Sequence, residues 1–164
     1  MKVRFYISAL LAFFFLGYAA KAQGALPEMN KKIIEFVTEN IGKKVDRGEC
    51  WDLANQALIL VDAKWDHQYK YGKRLDPNKD EILPGDIMQF EKVKVKYVVV
   101  NGNETTTTIE DMGHHTAIIY RVIEPGVFEL AHQNTSFSGR KVGLSKLELK
   151  NITKGKYFIY RPTK

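Results

Sequence analysis

The sequence predicts an α+β fold in which N-terminal helices pack on an antiparallel sheet of about five to six strands. Three observations carry that expectation. Apolar residues recur at helical spacing within residues 29–61. From residue 84 onward the period changes to two, with turn residues between the runs. Helical and extended segments do not alternate, so the strand–helix–strand units of a parallel sheet are missing.

Residues 1–22 are expected to lie outside that fold. Lys2 and Arg4 precede an uncharged run of 16 residues, FYISALLAFFFLGYAA, and Ala20-Lys21-Ala22 is a small-residue cleavage site. This is the pattern of a secretory signal peptide, and the run is short of the roughly 20 residues that a spanning helix needs. The expected product is one domain, Gln23 to Lys164, secreted or periplasmic. At 142 residues it can bury a core without disulfide staples. The formal charge of +6 shrinks on processing, because Lys2, Arg4 and Lys21 leave and 22 bases remain against 19 acids. A surplus of that size does not indicate nucleic-acid binding. A monomer without cofactor, metal or stable membrane insertion is expected.

MNKKIIEFVTENI (29–41) places Ile33, Ile34, Val37 and Ile41 at helical spacing, and Gly42 is a stop. A second helix over 48–61 aligns Cys50, Leu53, Ala54, Ala57, Leu58 and Val61 on an inward face, with Asp52, Asn55 and Gln56 on the other side. Residues 62–83 read as a long polar and aromatic loop. LPGDIMQF is a turn entering a strand, and EKVKVKYVVV (91–100) alternates as a half-exposed strand does. Asn101-Gly102 is a hairpin tip leading into a threonine-rich segment. HHTAIIYRV (114–122) and VFELAHQN (127–134) flank a Glu124-Pro125-Gly126 turn, and two short strands follow near 140–149 and 156–161.

Cys50 is the only cysteine. Exported domains normally pair their cysteines, so an odd one is either an inert packed thiol or a reactive one. Its place in the first turn of a helix, where the macrodipole is positive, is one that lowers a thiol pKa. A cysteine nucleophile also needs a base, usually a histidine held by a third polar group. The histidines are His67, His114, His115 and His132. If Val122 faces Val127 across the turn, His115 lies opposite Asn134; a slip of two residues brings His132 there, and a slip of one brings Gln133. In the first two cases a polar partner stands across the ladder to orient His115.

GECWDLANQAL, LPGDIMQF, GHHTAIIYRV and LAHQN, in that order, resemble the CHAP and NlpC/P60 group of papain-fold cysteine hydrolases over roughly residues 42–161. The resemblance implies a papain-like fold. It also implies Cys50 as nucleophile, His115 as base and Asn134 as third catalytic residue, with His132 as the alternative third member. His114, where that group more often has glycine, and His132 depart from the pattern. The implied activity is cleavage of amide bonds in peptidoglycan or its peptide fragments, as an amidase or endopeptidase. Trp51, Trp65 and Tyr71 are candidate groove-lining residues, with ordinary packing as the competing role.

Two other classes stay open on the sequence. A zinc hydrolase would use His114, His115 and His132, although adjacent strand residues point to opposite faces. A non-catalytic wall-binding module would keep the same fold without chemistry.

Overall fold

The computed structural model describes residues 25–102 and 104–164. The expected signal peptide at 1–22 lies outside them. Two α-helices come first, α1 (Glu28–Asn40) and α2 (Cys50–Leu60). Seven strands follow: β1 (Lys73–Leu75), β2 (Ile87–Asn101), β3 (Glu104–Asp111), β4 (His114–Glu124), β5 (Val127–His132), β6 (Gly143–Glu148) and β7 (Ile152–Arg161). They form one antiparallel sheet in the order β1-β7-β2-β4-β5-β6, with β3 paired to the far part of β2.

The α+β expectation holds, and the sheet is larger than the five to six strands expected. The added strand is β1, which sits inside the segment read as loop. Its sequence, KRL, is too short to show a period, and it exists because Lys73, Arg74 and Leu75 pair with Arg161, Tyr160 and Ile159 of β7. Local sequence carries no sign of such a distant partner.

Both helices lie on one face of the sheet. Ile33 and Val37 of α1, and Leu53, Ala54, Ala57 and Leu58 of α2, pack with Ile87, Ile118 and Ala131. The opposite face closes over a second core that draws Leu75, Phe90, Ala117, Leu130, Leu147 and Ile159 from six strands. A twisted sheet that covers its own inner face accounts for a core lined from so many strands.

The P-G-D turn joins these layers. Asp86 is fully buried, and its carboxylate accepts bonds from Asn30 of α1, the Leu83 amide and the Arg161 guanidinium of β7. Gly85 has φ +87°, and a Cβ there would come within 2.8 Å of the Asn30 backbone. Glycine is therefore required where α1 crosses the turn. A bulge at Lys92 (φ +54°) shifts the β2–β7 register between Glu91 and Lys94. Gly155 faces it, and a Cβ there would fall 2.4 Å from the Lys92 carbonyl oxygen. Val93 and Val95 point inward, as the alternation predicts.

Candidate active site

The start of α2 is held from both sides. Glu49, extended at φ −78° and ψ 154°, precedes the helix. Asp52, in the first turn, accepts the Glu49 amide at 3.0 Å and the Arg47 guanidinium at 2.6 Å. Its helical position places it away from the core, yet it is 0% exposed because these two donors close over it. Gln133, just past the end of β5, accepts the Val45 amide at 3.2 Å. It donates to the carbonyls of Val45 and Glu49 at 3.0 and 2.9 Å. One buried amide side chain thus ties the loop before α2 to the sheet, and Cys50 stands at a fixed point.

Cys50 is half-buried, and its thiol points toward the His114 carbonyl, 3.8 Å away. The sulfur lies against the β4 backbone on both sides of His115, since the Thr116 amide also faces it. Burial pushes the thiol pKa up, while the amides of Thr116, Trp51 and Cys50 itself pull it down. The net direction is upward, which corrects the expectation of a thiol acidified by its helix start. Here desolvation of the charged form outweighs the first-turn amides.

His115 and His132 form a directly bonded pair, with Nε2 of His115 and Nδ1 of His132 at 2.8 Å. The rings meet edge to face, their centroids 5.0 Å apart. The second ring nitrogen of His132, Nε2, lies 2.8 Å from Ser145 Oγ on β6. Phe90 flanks His115 and Phe137 flanks His132. Burial lowers the His115 pKa to about 4, and burial together with the charge of His115 lowers that of His132 to about 3. Both rings are therefore neutral at neutral pH.

At the site end the β4–β5 register is the expected one: Ile118 pairs with Ala131 and Ile119 with Leu130. Extended three more pairs, it would set Asn134 opposite His115. The strand stops at His132, however, and Asn134 turns away at φ +60°. The Asn134 amide donates to the Glu49 carboxylate at 2.9 Å instead. The nitrogen of His115 that Asn134 was expected to meet is taken by His132, reached diagonally across the ladder. At the turn the expected Val122–Val127 pair is displaced by bulges to Val122–Phe128 and Glu124–Val127.

The remaining candidates separate. His114 points the other way along β4, with its Nδ1 3.3 Å from the Gln89 amide and its ring beside Tyr69. His114, His115 and His132 do not converge, and among the described residues no group of three or more His, Cys, Asp or Glu is arranged to hold a metal ion. His67 packs on Trp65. Trp51 pairs with Trp65 at 6.3 Å and carries the Arg47 guanidinium over its ring. Tyr71, expected in a groove, is 0% exposed: its hydroxyl bonds Thr116 Oγ1 at 3.0 Å and its ring stacks under Trp65. It is a core residue, so only Trp51 and Trp65 of the three remain partly accessible.

Two contributors escaped the sequence reading. Ser145 is anonymous in GLSKLE until the β5–β6 register pairs it with Leu130, two residues before His132. Gln133 appeared only as the partner in a slipped register. A cleft of about 290 Å³ opens beside His115, bordered by Glu110, Asp111, Met112, Asn134 and Thr135.

A cysteine at a helix start, resting on a strand whose histidine is bonded to a second one, is an arrangement that nucleophilic thiol chemistry can use. None of the curated proteins matches this chain. Among solved structures, the crystal structure of Ly7917 is 12% identical, with a TM-score of 0.49, covering 80% of this chain and 62% of that one. The structure of Ly7917 with the hydrolyzing product of MDP is 13% identical, also at 0.49, covering 81% and 63%. The chain thus spans less than two thirds of the length of these structures. The family model of the AIM3/BBC1 cysteine proteinase-fold domain matches residues 23–164, nearly the whole sequence. The chain belongs to the AIM3/BBC1 cysteine proteinase-fold domain family.

Proposed function

We propose that this protein is an exported cysteine hydrolase that cleaves amide bonds of bacterial peptidoglycan or its peptide fragments, with Cys50, His115 and His132 as its catalytic triad. The observation that carries the proposal is that the Cys50 sulfur rests on β4, the strand whose His115 is bonded to His132 of β5. The resemblance of the four segments to the CHAP and NlpC/P60 group supports the substrate class. The pattern of residues 1–22 supports export, with cleavage near Ala22.

The resting site holds a thiol and a neutral imidazole, so the chemistry begins with proton transfer. His115, whose Nε2 is committed to His132, has Nδ1 as its working nitrogen. Nδ1 takes the thiol proton as sulfur attacks the carbonyl carbon, and the carbonyl π pair moves onto oxygen. The Cys50 amide, at the start of α2, is positioned to donate to that oxyanion. Collapse breaks the C–N bond, and the imidazolium gives its proton to the departing amine. Water, deprotonated by His115, then attacks the thioester, and sulfur leaves to regain its proton. His132 replaces Asn134 as the orienting residue, because it alone bonds the far nitrogen of His115.

The test is digestion of purified peptidoglycan followed by mass spectrometry of the fragments. The wild-type protein is expected to release products with a newly exposed amine and carboxyl group. Cys50→Ala and His115→Ala proteins with unchanged circular dichroism are expected to release none. Cleavage at the wild-type rate by Cys50→Ala would end the proposal.

A further inference from the structure

Resting on the hydrolase reading above, we propose that Ser145 is a positioning residue that sets the direction of the hydrogen bonds through the histidine pair, so that His115 keeps Nδ1 free of a proton for the thiol.

The contact between His115 Nε2 and His132 Nδ1, at 2.8 Å, has room for one proton. His132 is 0% exposed, so its other nitrogen depends on the protein for a partner, and Ser145 Oγ stands 2.8 Å from it. Two arrangements satisfy these contacts. In one, Ser145 Oγ accepts from His132 Nε2–H, His132 Nδ1 accepts from His115 Nε2–H, and His115 Nδ1 is a bare lone pair. In the other, every bond is reversed and His115 Nδ1 carries the proton, which disables it as a base. Only the first arrangement lets His115 become protonated during the reaction, since in the reversed one the new Nε2–H would meet His132 Nδ1–H head on. The first arrangement ends on an oxygen that accepts, and Ser145 supplies it.

The fold builds this contact from the backbone upward. On β6, Gly143 is the residue paired with His132, and Ser145 is paired with Leu130. A Cβ at Gly143 would lie 2.6 Å from both Phe137 and Ser138, so glycine lets the loop after β5 close over the His132 ring. The hydroxyl two residues further along is then the group that meets the buried nitrogen.

The full chain labelled with ¹⁵N-histidine reports each ring's tautomer by NMR at pH 7. The wild type is expected to show Nε2–H and a bare Nδ1 for both His115 and His132. Ser145→Ala is expected to add an Nδ1-protonated population of His115 and to slow alkylation of Cys50 by iodoacetamide roughly 10- to 100-fold. In a hydrolysis assay it is expected to lower kcat by a similar factor with KM unchanged. Ser145→Thr, which keeps a hydroxyl, should restore the wild-type pattern. A wild type with His132 protonated on Nδ1 overturns the proposal, and needs no variant to fold. So does Ser145→Ala with wild-type tautomers and wild-type alkylation. A wild type that shows the expected tautomers but cleaves no peptidoglycan refutes the hydrolase reading and supports this one.

Discussion

The Asn134 amide and the His132 ring stand two residues apart in the chain and end in different roles. Asn134 bonds Glu49 at the surface, whereas His132 bonds His115 in the interior. Asn134→Ala is therefore expected to keep hydrolysis within about fivefold of wild type, while His132→Ala loses roughly 100-fold or more in kcat/KM. Steady-state kinetics on a soluble peptidoglycan fragment separates the two, and equal losses would restore Asn134 as the third residue. The thiol carries a second expectation. Because burial raises its pKa, alkylation by iodoacetamide should be slow at pH 5–6 and climb past pH 9. A rate already at its plateau at pH 6 would show that the first-turn amides outweigh burial after all.

At the scale of elements, the site depends on how firmly the start of α2 is attached to the end of β5. Gln133 makes that attachment with three bonds to Val45 and Glu49. Gln133→Ala leaves these backbone groups without their partner, at about 1–3 kcal/mol for a buried unmet group. A loss of about 3 kcal/mol in urea unfolding is expected, and kcat should fall with it because Cys50 is no longer held against β4. An unfolding midpoint unchanged from wild type would show that water replaces the amide. The helices and the long strands were legible in the sequence, because each buries one face over many residues and so leaves a period. Strand β1 and the bulges were not. They follow from pairing with β7 and from the backbone at Lys92 and Gly155, and these act across long stretches of chain.

For the molecule as a whole, the histidine pair links the site to stability. An unfolded histidine titrates near 6.5, whereas His115 and His132 titrate at about 4 and about 3 when folded. Between those values the unfolded chain binds more protons, so acid favours unfolding. The contribution of the pair is fully present above about pH 6.5 and declines as pH falls toward 4 and then 3. Urea midpoints measured from pH 7 to pH 4 are expected to drop steeply in the wild type and less steeply in His132→Asn. Parallel slopes would place the acid sensitivity elsewhere.

The sequence by itself determined the α+β class, both helices, the alternating strands, and the proximity of a helix-start cysteine to a strand bearing His115. These features are written in local periods and in residue types at short spacing. Only the tertiary structure decided which residue bonds His115, that Tyr71 belongs to the core, that Asp86 locks α1 to β7, and that Ser145 ends the histidine chain. Each of these rests on which strand lies beside which and where a ladder stops. A left-handed turn at one residue, Asn134, was enough to exchange one candidate for another, and no local pattern in LAHQN records it.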